Sequence, residues 1–260
     1  MPKKTILAAL LMVTTLAPPA EAGDVPALPQ GITLDGPAGS DGRTVFFNPR
    51  GRMAVMLGDP RLVHDVAVIV PGSDVDIPRF GRTLLPKARA MYQEAHGDLA
   101  VIAWLGYQTP EGLGVDAATG RLARAGAAAL SAFITWLHKA TSARVHVYGH
   151  SYGSVVCALA KIDVDDLVFI GSPGVRAGSV AELGGRAQVW AARAPADWTR
   201  WIPHFQLGDL GHGTDPTSPE FGARTFGTGG ALGHDDYFHP GTESLRNLVR
   251  IGLGRYGEVR

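Results

Sequence analysis

Arg144-Val145-His146-Val147-Tyr148-Gly149-His150-Ser151-Tyr152-Gly153-Ser154-Val155-Val156-Cys157-Ala158-Leu159-Ala160 decides the reading of this chain. Its first five residues have the composition of a short strand, and its last seven form an apolar segment of helical character. Between them stands Gly-x-Ser-x-Gly. With 34 glycines in the chain, that pentapeptide could arise by accident, so its flanks supply the specificity. Strand, sharp turn and helix in immediate succession are the setting in which a serine is thrust out of a sheet as a nucleophile. The two glycines answer to crowding, because side chains two positions either side of the serine would collide with the helix and a neighbouring strand. The helix expected to begin at Tyr152 aims its free NH groups and positive dipole end at the place where negative charge would develop. Ser151 is therefore the candidate nucleophile. A glycine-rich turn without chemistry is the competing reading, which the flanking pattern disfavours.

Outward from this stretch, short apolar runs alternate with longer helical ones. Strands are expected at residues 66–70, 99–104, 144–148, 167–170 and 188–192, with helices at 79–95, 117–140 and 152–160. Such alternation implies a mostly parallel sheet, with right-handed crossovers placing helices on both faces. Residues 43–48 and 52–57 read as an antiparallel hairpin turning at Pro49-Arg50-Gly51. A last helix is expected over 242–253, with Glu243 in its first turn. Residues 198–233 carry Trp201, Phe205, Phe221 and Phe226 among many glycines and prolines without periodicity, and a loop of that length is usually functional or disordered. Its aromatic content argues against disorder.

At 45% hydrophobic and 18% charged, the 260 residues suit one α/β domain, placed at 43–260. The start reads as an export signal: Lys3 and Lys4, an apolar run over 6–17, and Ala20-Glu21-Ala22 as a small-x-small cleavage site. Residues 1–22 are thus expected to be a removed signal peptide and 23–42 an extended lead-in, giving an extracytoplasmic protein. The apolar run is short of the ~20 residues that span a bilayer. Basic and acidic side chains balance at 24 each, which offers no electrostatic footprint for nucleic acid. Cys157 is the only cysteine, which rules out an intramolecular disulfide and a lipid-modified cysteine at the cleavage site.

Several motifs together resemble the α/β-hydrolase superfamily, and within it a group of uncharacterised bacterial members. They are Val66-Ala67-Val68-Ile69-Val70-Pro71-Gly72, Phe80-Gly81-Arg82, Gly149-His150-Ser151-Tyr152-Gly153-Ser154, Gly171-Ser172-Pro173-Gly174, Phe221-Gly222-Ala223-Arg224, and Gly233-His234 leading to Tyr237-Phe238. The resemblance covers roughly 66–254 and implies an oxyanion hole built from the NH after the nucleophile, Tyr152, and one from the loop after an early strand, mapped to Ser73. That loop, Pro71-Gly72-Ser73-Asp74, departs from the His-Gly-Gly-Gly type, and Asp74 reads more readily as a turn residue.

A hydroxyl is a poor nucleophile at neutral pH, so Ser151 needs an imidazole to take its proton and a carboxylate to orient that imidazole. The superfamily order is Ser, acid, His. The loop after 167–170 holds no carboxylate, so the acid is expected after 188–192. Asp197 comes first there, followed by Asp215 and Asp209; a cap for a short helix at Trp198 is the bland reading of Asp197. His64, His96, His138, His146 and His150 precede the acid and read as surface or packing residues. His234, on a glycine-rich approach to the last helix, is the expected base, ahead of His239, His204 and His212.

A metal centre on His234, Asp235, Asp236 and His239, or on Asp209 and His212, lacks an accompanying cluster at metal-motif spacing, so neither metal nor cofactor is expected. Trp104, Tyr107, Tyr152, Trp198 and Trp201 are expected to line an apolar pocket, favouring a small-molecule or lipid ester with an acyl or aryl group; a plain core position for Trp104 at the end of its strand is the competing reading. The implied activity is secreted serine ester hydrolysis. Its rivals are a non-catalytic exported binding protein on the same fold and an acyltransferase sharing the acyl-enzyme.

Overall fold

The computed structural model describes residues 42–48 and 52–260. The expected signal peptide, the lead-in as far as residue 41 and the hairpin turn at 49–51 lie outside the described residues. Eight strands form one sheet in the order β1-β2-β4-β3-β5-β6-β7-β8. They are β1 (Arg43–Asn48), β2 (Arg52–Leu57), β3 (Asp65–Val70), β4 (Leu99–Leu105), β5 (Arg144–His150), β6 (Asp166–Ile170), β7 (Gln188–Ala192) and β8 (Arg224–Thr225). The first two form the expected hairpin, β2 pairs antiparallel with β4, and every later pairing is parallel.

Period-two alternation sorts the strand residues between two cores. Val66, Val68 and Val70 of β3 face one side, against α3 (Arg121–Ala140) and α4 (Tyr152–Leu159). Ala67 and Ile69 face the other, against α1 (Ile77–Glu94) and α6 (Glu243–Gly252). Because helices cover both faces, β3 is buried at every position, which is why residues 66–70 read as an uninterrupted apolar run after Asp65. Two single turns, α2 (Val115–Ala118) and α5 (Val180–Leu183), complete the helices. Thr242 caps α6 by accepting from the Leu245 NH at 3.1 Å.

Two expectations need correction. The helix expected over 117–140 is broken at Thr119-Gly120 into α2 and α3. A Cβ on Gly120 would lie 2.6 Å from the Arg176 guanidinium, and the Gly120 NH donates to Asp209 at 3.2 Å, so a distant loop decides the break. The stretch 198–233 contains β8 and two short 3-10 turns, and Phe221 and Phe226 are buried in the two cores. His146, grouped with surface or packing residues, takes the packing role: it is fully buried at the N-terminal end of the parallel strands.

The surroundings of His146 set its charge. Its Nδ1 lies 2.7 Å from Asp166 and its Nε2 3.0 Å from Asp65. Only an imidazolium has a proton for each nitrogen. Burial alone would lower the His146 pKa, but the two carboxylates outweigh it and raise it. Tyr256 and Trp190 donate to Asp166 at 2.8 and 2.7 Å, and Arg144 donates to Asp65 at 3.0 Å.

A raised histidine pKa contributes stability that is fully present below the unfolded value of ~6.5 and is lost as pH rises through the folded value. His146→Leu leaves two buried carboxylates short of a partner and is expected to cost about 3–5 kcal/mol. Urea unfolding of both proteins checks this. The gap should be widest near pH 6 and narrow as pH rises, and a pH-independent gap would contradict a charged His146.

Candidate active site

The turn between β5 and α4 puts Ser151 at φ 55°, ψ −129°. An L-residue holds this conformation at a cost of about 1–3 kcal/mol only where its surroundings enforce it. Here they do so by contact. A Cβ on Gly149 would lie 2.7 Å from the Ser154 Cα, and one on Gly153 would lie 2.4 Å from the Val70 carbonyl oxygen. Gly72, after β3, comes so close that a Cβ would meet the Ser151 Cβ at 2.5 Å. The elbow is thus wedged between its own helix and the end of β3, and Ser151 lines a cavity of about 240 Å³.

The loop after β3 forms one side of that cavity through Gly72, Ser73 and Asp74. Tyr107 supports it from behind, its hydroxyl donating to the Pro71 carbonyl at 2.6 Å. Asp74 serves the turn: it adopts φ 60°, its NH donates to Pro110 at 2.9 Å, and its carboxylate accepts from the Gly112 NH at 3.0 Å. The backbone NH groups of Ser73 and Tyr152 have no hydrogen-bond partner among the described residues.

Asp197 lies beyond β7 and is wholly buried. Its carboxylate accepts from four donors: the Thr199 NH and hydroxyl, both at 2.8 Å, the Tyr237 hydroxyl at 2.5 Å, and His234 Nδ1 at 2.9 Å. Burial pushes its pKa up, but these bonds outweigh burial and hold it well below the usual carboxylate range. The cap and the orienting carboxylate are one side chain, since the bond to Thr199 also starts the 3-10 turn Trp198–Trp201. With Nδ1 donating to Asp197, the His234 Nε2 is left as an acceptor. His234 and Ser151 line the same cavity. No hydrogen bond joins the Ser151 hydroxyl to the His234 ring among the described residues.

The other acids and histidines are engaged elsewhere. Asp215 pairs with Arg193 at 2.6 Å, and Asp209 with Arg124 at 2.6 Å and Arg176 at 3.0 Å. His204 sits 3.3 Å from Asp215, His212 lies 2.6 Å from the Ala117 carbonyl oxygen, and His239 is exposed. The residues of the weighed metal set also separate: Asp235 pairs with Lys87, and Asp236 accepts from the Gly233 NH.

The expected aromatic lining is corrected in most of its members. Trp104 and Tyr107 are stacked core residues, 1% and 2% exposed, because the phase of β4 turns Trp104 toward α3. The Tyr152 side chain also points to that side, its hydroxyl donating to the Thr119 carbonyl at 2.6 Å. Trp198 does line the cavity, whereas Trp201 is 79% exposed and outside its lining. Ile69, Val75, Leu84 and Leu113 provide the remaining apolar wall.

Four residues without a sequence-derived role belong to the site. Tyr237 fixes Asp197 and accepts from the Ala194 NH at 2.8 Å. Gly171, at φ 55°, gives the acid and base room, since a Cβ there would lie 2.7 Å from Asp197 Oδ2 and 3.1 Å from His234 Nδ1. His150, set aside as surface or packing, lines the cavity and lies with its Nε2 2.7 Å from the His234 carbonyl oxygen. Burial and the neighbouring Lys87 ammonium hold the His150 pKa well down, so the ring is neutral and Nε2 carries its proton. Lys87 lies 3.5 Å from His150 Nδ1 and 3.0 Å from Asp235. The Gly171 and Tyr237 positions stand within quoted motifs, but only the fold brings them to Asp197.

Comparison with known proteins bears on the fold that carries this geometry. An uncharacterised protein of Mycobacterium tuberculosis is 31% identical over 249 residues, a match covering 80% of this chain and 38% of that protein's length. Among solved structures, esterase PE8 aligns with a TM-score of 0.51 at 16% identity, covering 77% of this chain and 96% of that one. A dienelactone hydrolase from Anabaena variabilis aligns at 0.50 and 14% identity, covering 84% and 96%. At these identities the structural likeness speaks for the fold. A family model described as alpha/beta hydrolase matches residues 48–207, and the chain belongs to that family.

Proposed function

We propose that this chain is an exported serine hydrolase that cleaves carboxylic esters through an acyl-enzyme on Ser151. His234 is the general base and acid, Asp197 orients it, and the NH groups of Tyr152 and Ser73 receive the oxyanion. The observation that carries this reading is the buried Asp197 carboxylate, bonded to a histidine at the cavity that the strained Ser151 lines. A buried charge is costly unless matched by donors, and here one of the donors is a ring whose other nitrogen is left free. The open step from His234 to Ser151 is of the kind that tightens when substrate binds. The sequence of residues 1–22, read as an export signal, is what supports the proposed extracytoplasmic location.

In the proposed reaction His234 Nε2 takes the Ser151 proton while Oγ bonds to the ester carbonyl carbon, moving the carbonyl electron pair onto oxygen. Two NH groups aimed at that oxygen typically supply about 3–4 kcal/mol each. Collapse expels the alcohol, which takes the proton from Nε2. Water then repeats the sequence, releasing the acid and restoring Ser151. The apolar wall of Ile69, Leu84, Leu113 and Trp198 suits an acyl or aryl group, and exposed Trp201, Leu207 and Leu232 are compatible with lipid esters.

Ser151→Ala is expected to lower kcat on 4-nitrophenyl butyrate by about 10⁴-fold or more and to abolish labelling by a fluorophosphonate probe. A folded wild-type protein that takes no label would support a binding protein instead, and ester formation on an added alcohol would support a transferase.

The base must be unprotonated to accept the Ser151 proton, so kcat/KM should fall toward acid in a single-proton limb. The Asp197 carboxylate, held well below the usual carboxylate range by its donors, adds no second step there. A profile with no acid limb over the pH range in which the protein stays folded would remove His234 from the role.

Gly171→Ala is expected to reduce kcat by about 10²-fold by displacing the acid and base, with circular dichroism confirming the fold. Unchanged turnover would mean that the pair is not needed in this geometry.

A further inference from the structure

Asp197 fixes the His234 ring but not the main chain beneath it. The approach to His234, Gly229-Gly230-Ala231-Leu232-Gly233, contains three glycines, the residue type whose backbone is least restricted. The carboxylate meets His234 at Nδ1. A ring bonded at one nitrogen still moves when its backbone shifts, and a misplacement of ~1 Å can cost about 10²-fold in rate.

His150 supplies a second point of attachment. Its side chain is buried, and its Nε2 lies 2.7 Å from the His234 carbonyl oxygen. A carbonyl only accepts, so that nitrogen carries a proton and donates it. The two rings also pack together, their centroids 4.7 Å apart, while Trp198 packs on His234 at 4.8 Å and Tyr237 on His150 at 5.9 Å. His150 ends β5 and directly precedes Ser151. One side chain therefore spans from the elbow to the main chain of the proposed base.

Lys87 stands on the other side of that ring. Its ammonium, carried by α1, lies 3.5 Å from His150 Nδ1 and 3.0 Å from Asp235 Oδ1. An ammonium has only donors, so its presence opposes a proton on Nδ1. Lys87 thus meets two consecutive residues of the segment that carries the base, Asp235 directly and His234 through His150. The Asp235 side chain is 79% exposed, where an ion pair is worth little. The link through the buried His150 ring is the one shielded from water.

We propose that His150 is a positioning residue for the reaction at Ser151. Its ring sets the separation between the elbow and the His234 backbone, and Lys87 acts through it by keeping the ring in the form that donates to the His234 carbonyl. Neither side chain exchanges a proton with the substrate; their effect is on where His234 Nε2 stands. The inference deepens the proposed hydrolase reading and rests on it.

The test compares variants of that one ring. His150→Phe keeps an aromatic ring of similar size and removes the donor. Its kcat on 4-nitrophenyl butyrate should fall about tenfold or more while KM stays within about twofold, with circular dichroism checking the fold. His150→Gln, whose amide nitrogen stands as many bonds from Cβ as Nε2 does, should recover most of the loss. Lys87→Met should lower kcat alone but add nothing to His150→Phe, because it acts through the ring. Full turnover in His150→Phe, a Gln variant no better than the Phe variant, or losses that add in the double variant would each overturn the assignment. Histidine-¹⁵N NMR of the unmodified chain reads the tether without turnover. The ring signal that disappears in His150→Phe should be that of the Nε2–H form, and an Nδ1–H form would overturn the tether. If the unmodified chain cleaves no ester the hydrolase reading falls, while the NMR comparison still decides the tether.

Discussion

The closeness of three backbone segments at Ser151 is the constraint on which the site depends. The end of β3, the elbow and the first turn of α4 approach until a single Cβ on Gly72, Gly149 or Gly153 would lie 2.7 Å or less from a neighbouring atom. Close packing converts this proximity into conformation, because a serine can stay at φ 55° beside the cavity only while its neighbours leave no room to relax. The same closeness sets Ser73, on the loop after β3, beside Ser151 in the lining of one cavity. The proposed nucleophile and oxyanion donors would thus follow from one packing arrangement, which the fully buried β3 and the helices on both faces hold in place.

Two histidines bonded to buried carboxylates lie near opposite ends of the parallel strands, and their difference explains why only one fits the proposed general base. His146 is bonded through both nitrogens to carboxylates and is held as an imidazolium with no lone pair. His234 is bonded through Nδ1 alone, to a carboxylate whose remaining capacity is taken by Thr199 and Tyr237. The first arrangement is closed and stores stability; the second leaves one nitrogen for chemistry. Residue type does not separate them, whereas the number of donors around each carboxylate and of acceptors around each ring does.

These distinctions also mark what the sequence could and could not tell. The strand, elbow and helix around Ser151 were legible because their signals are local: alternation, two glycines and an apolar run in immediate succession. Asp197 and His234 could be reached by chain order, and the structure joins them, because few acids and histidines follow β7. The lining was not legible, since whether Trp104 faces the cavity or the core depends on the phase of β4 relative to α3. The break before α3 was hidden because Asp209 and Arg176, far along the chain, impose it. His150 occupies the variable place in Gly-x-Ser-x-Gly, where nothing local records that its ring will meet the His234 backbone.

His150 links the two sides of the site in a way that depends on its neighbour. Lys87 has only donors to offer, so the His150 Nδ1 that faces it must carry a lone pair, and the proton of the neutral ring must sit on Nε2. That proton is the one directed at the His234 carbonyl, at 2.7 Å. Lys87 thereby selects the His150 tautomer that can tether the His234 backbone, while Asp197 selects the His234 tautomer that leaves Nε2 open. The imidazole is held at its ring by a carboxylate and at its backbone by a second ring, and the orientation of each hydrogen bond is set one residue further out. Because Asp235 shares the Lys87 ammonium, the charge balance at the edge of the cavity and the alignment of His234 are parts of one network.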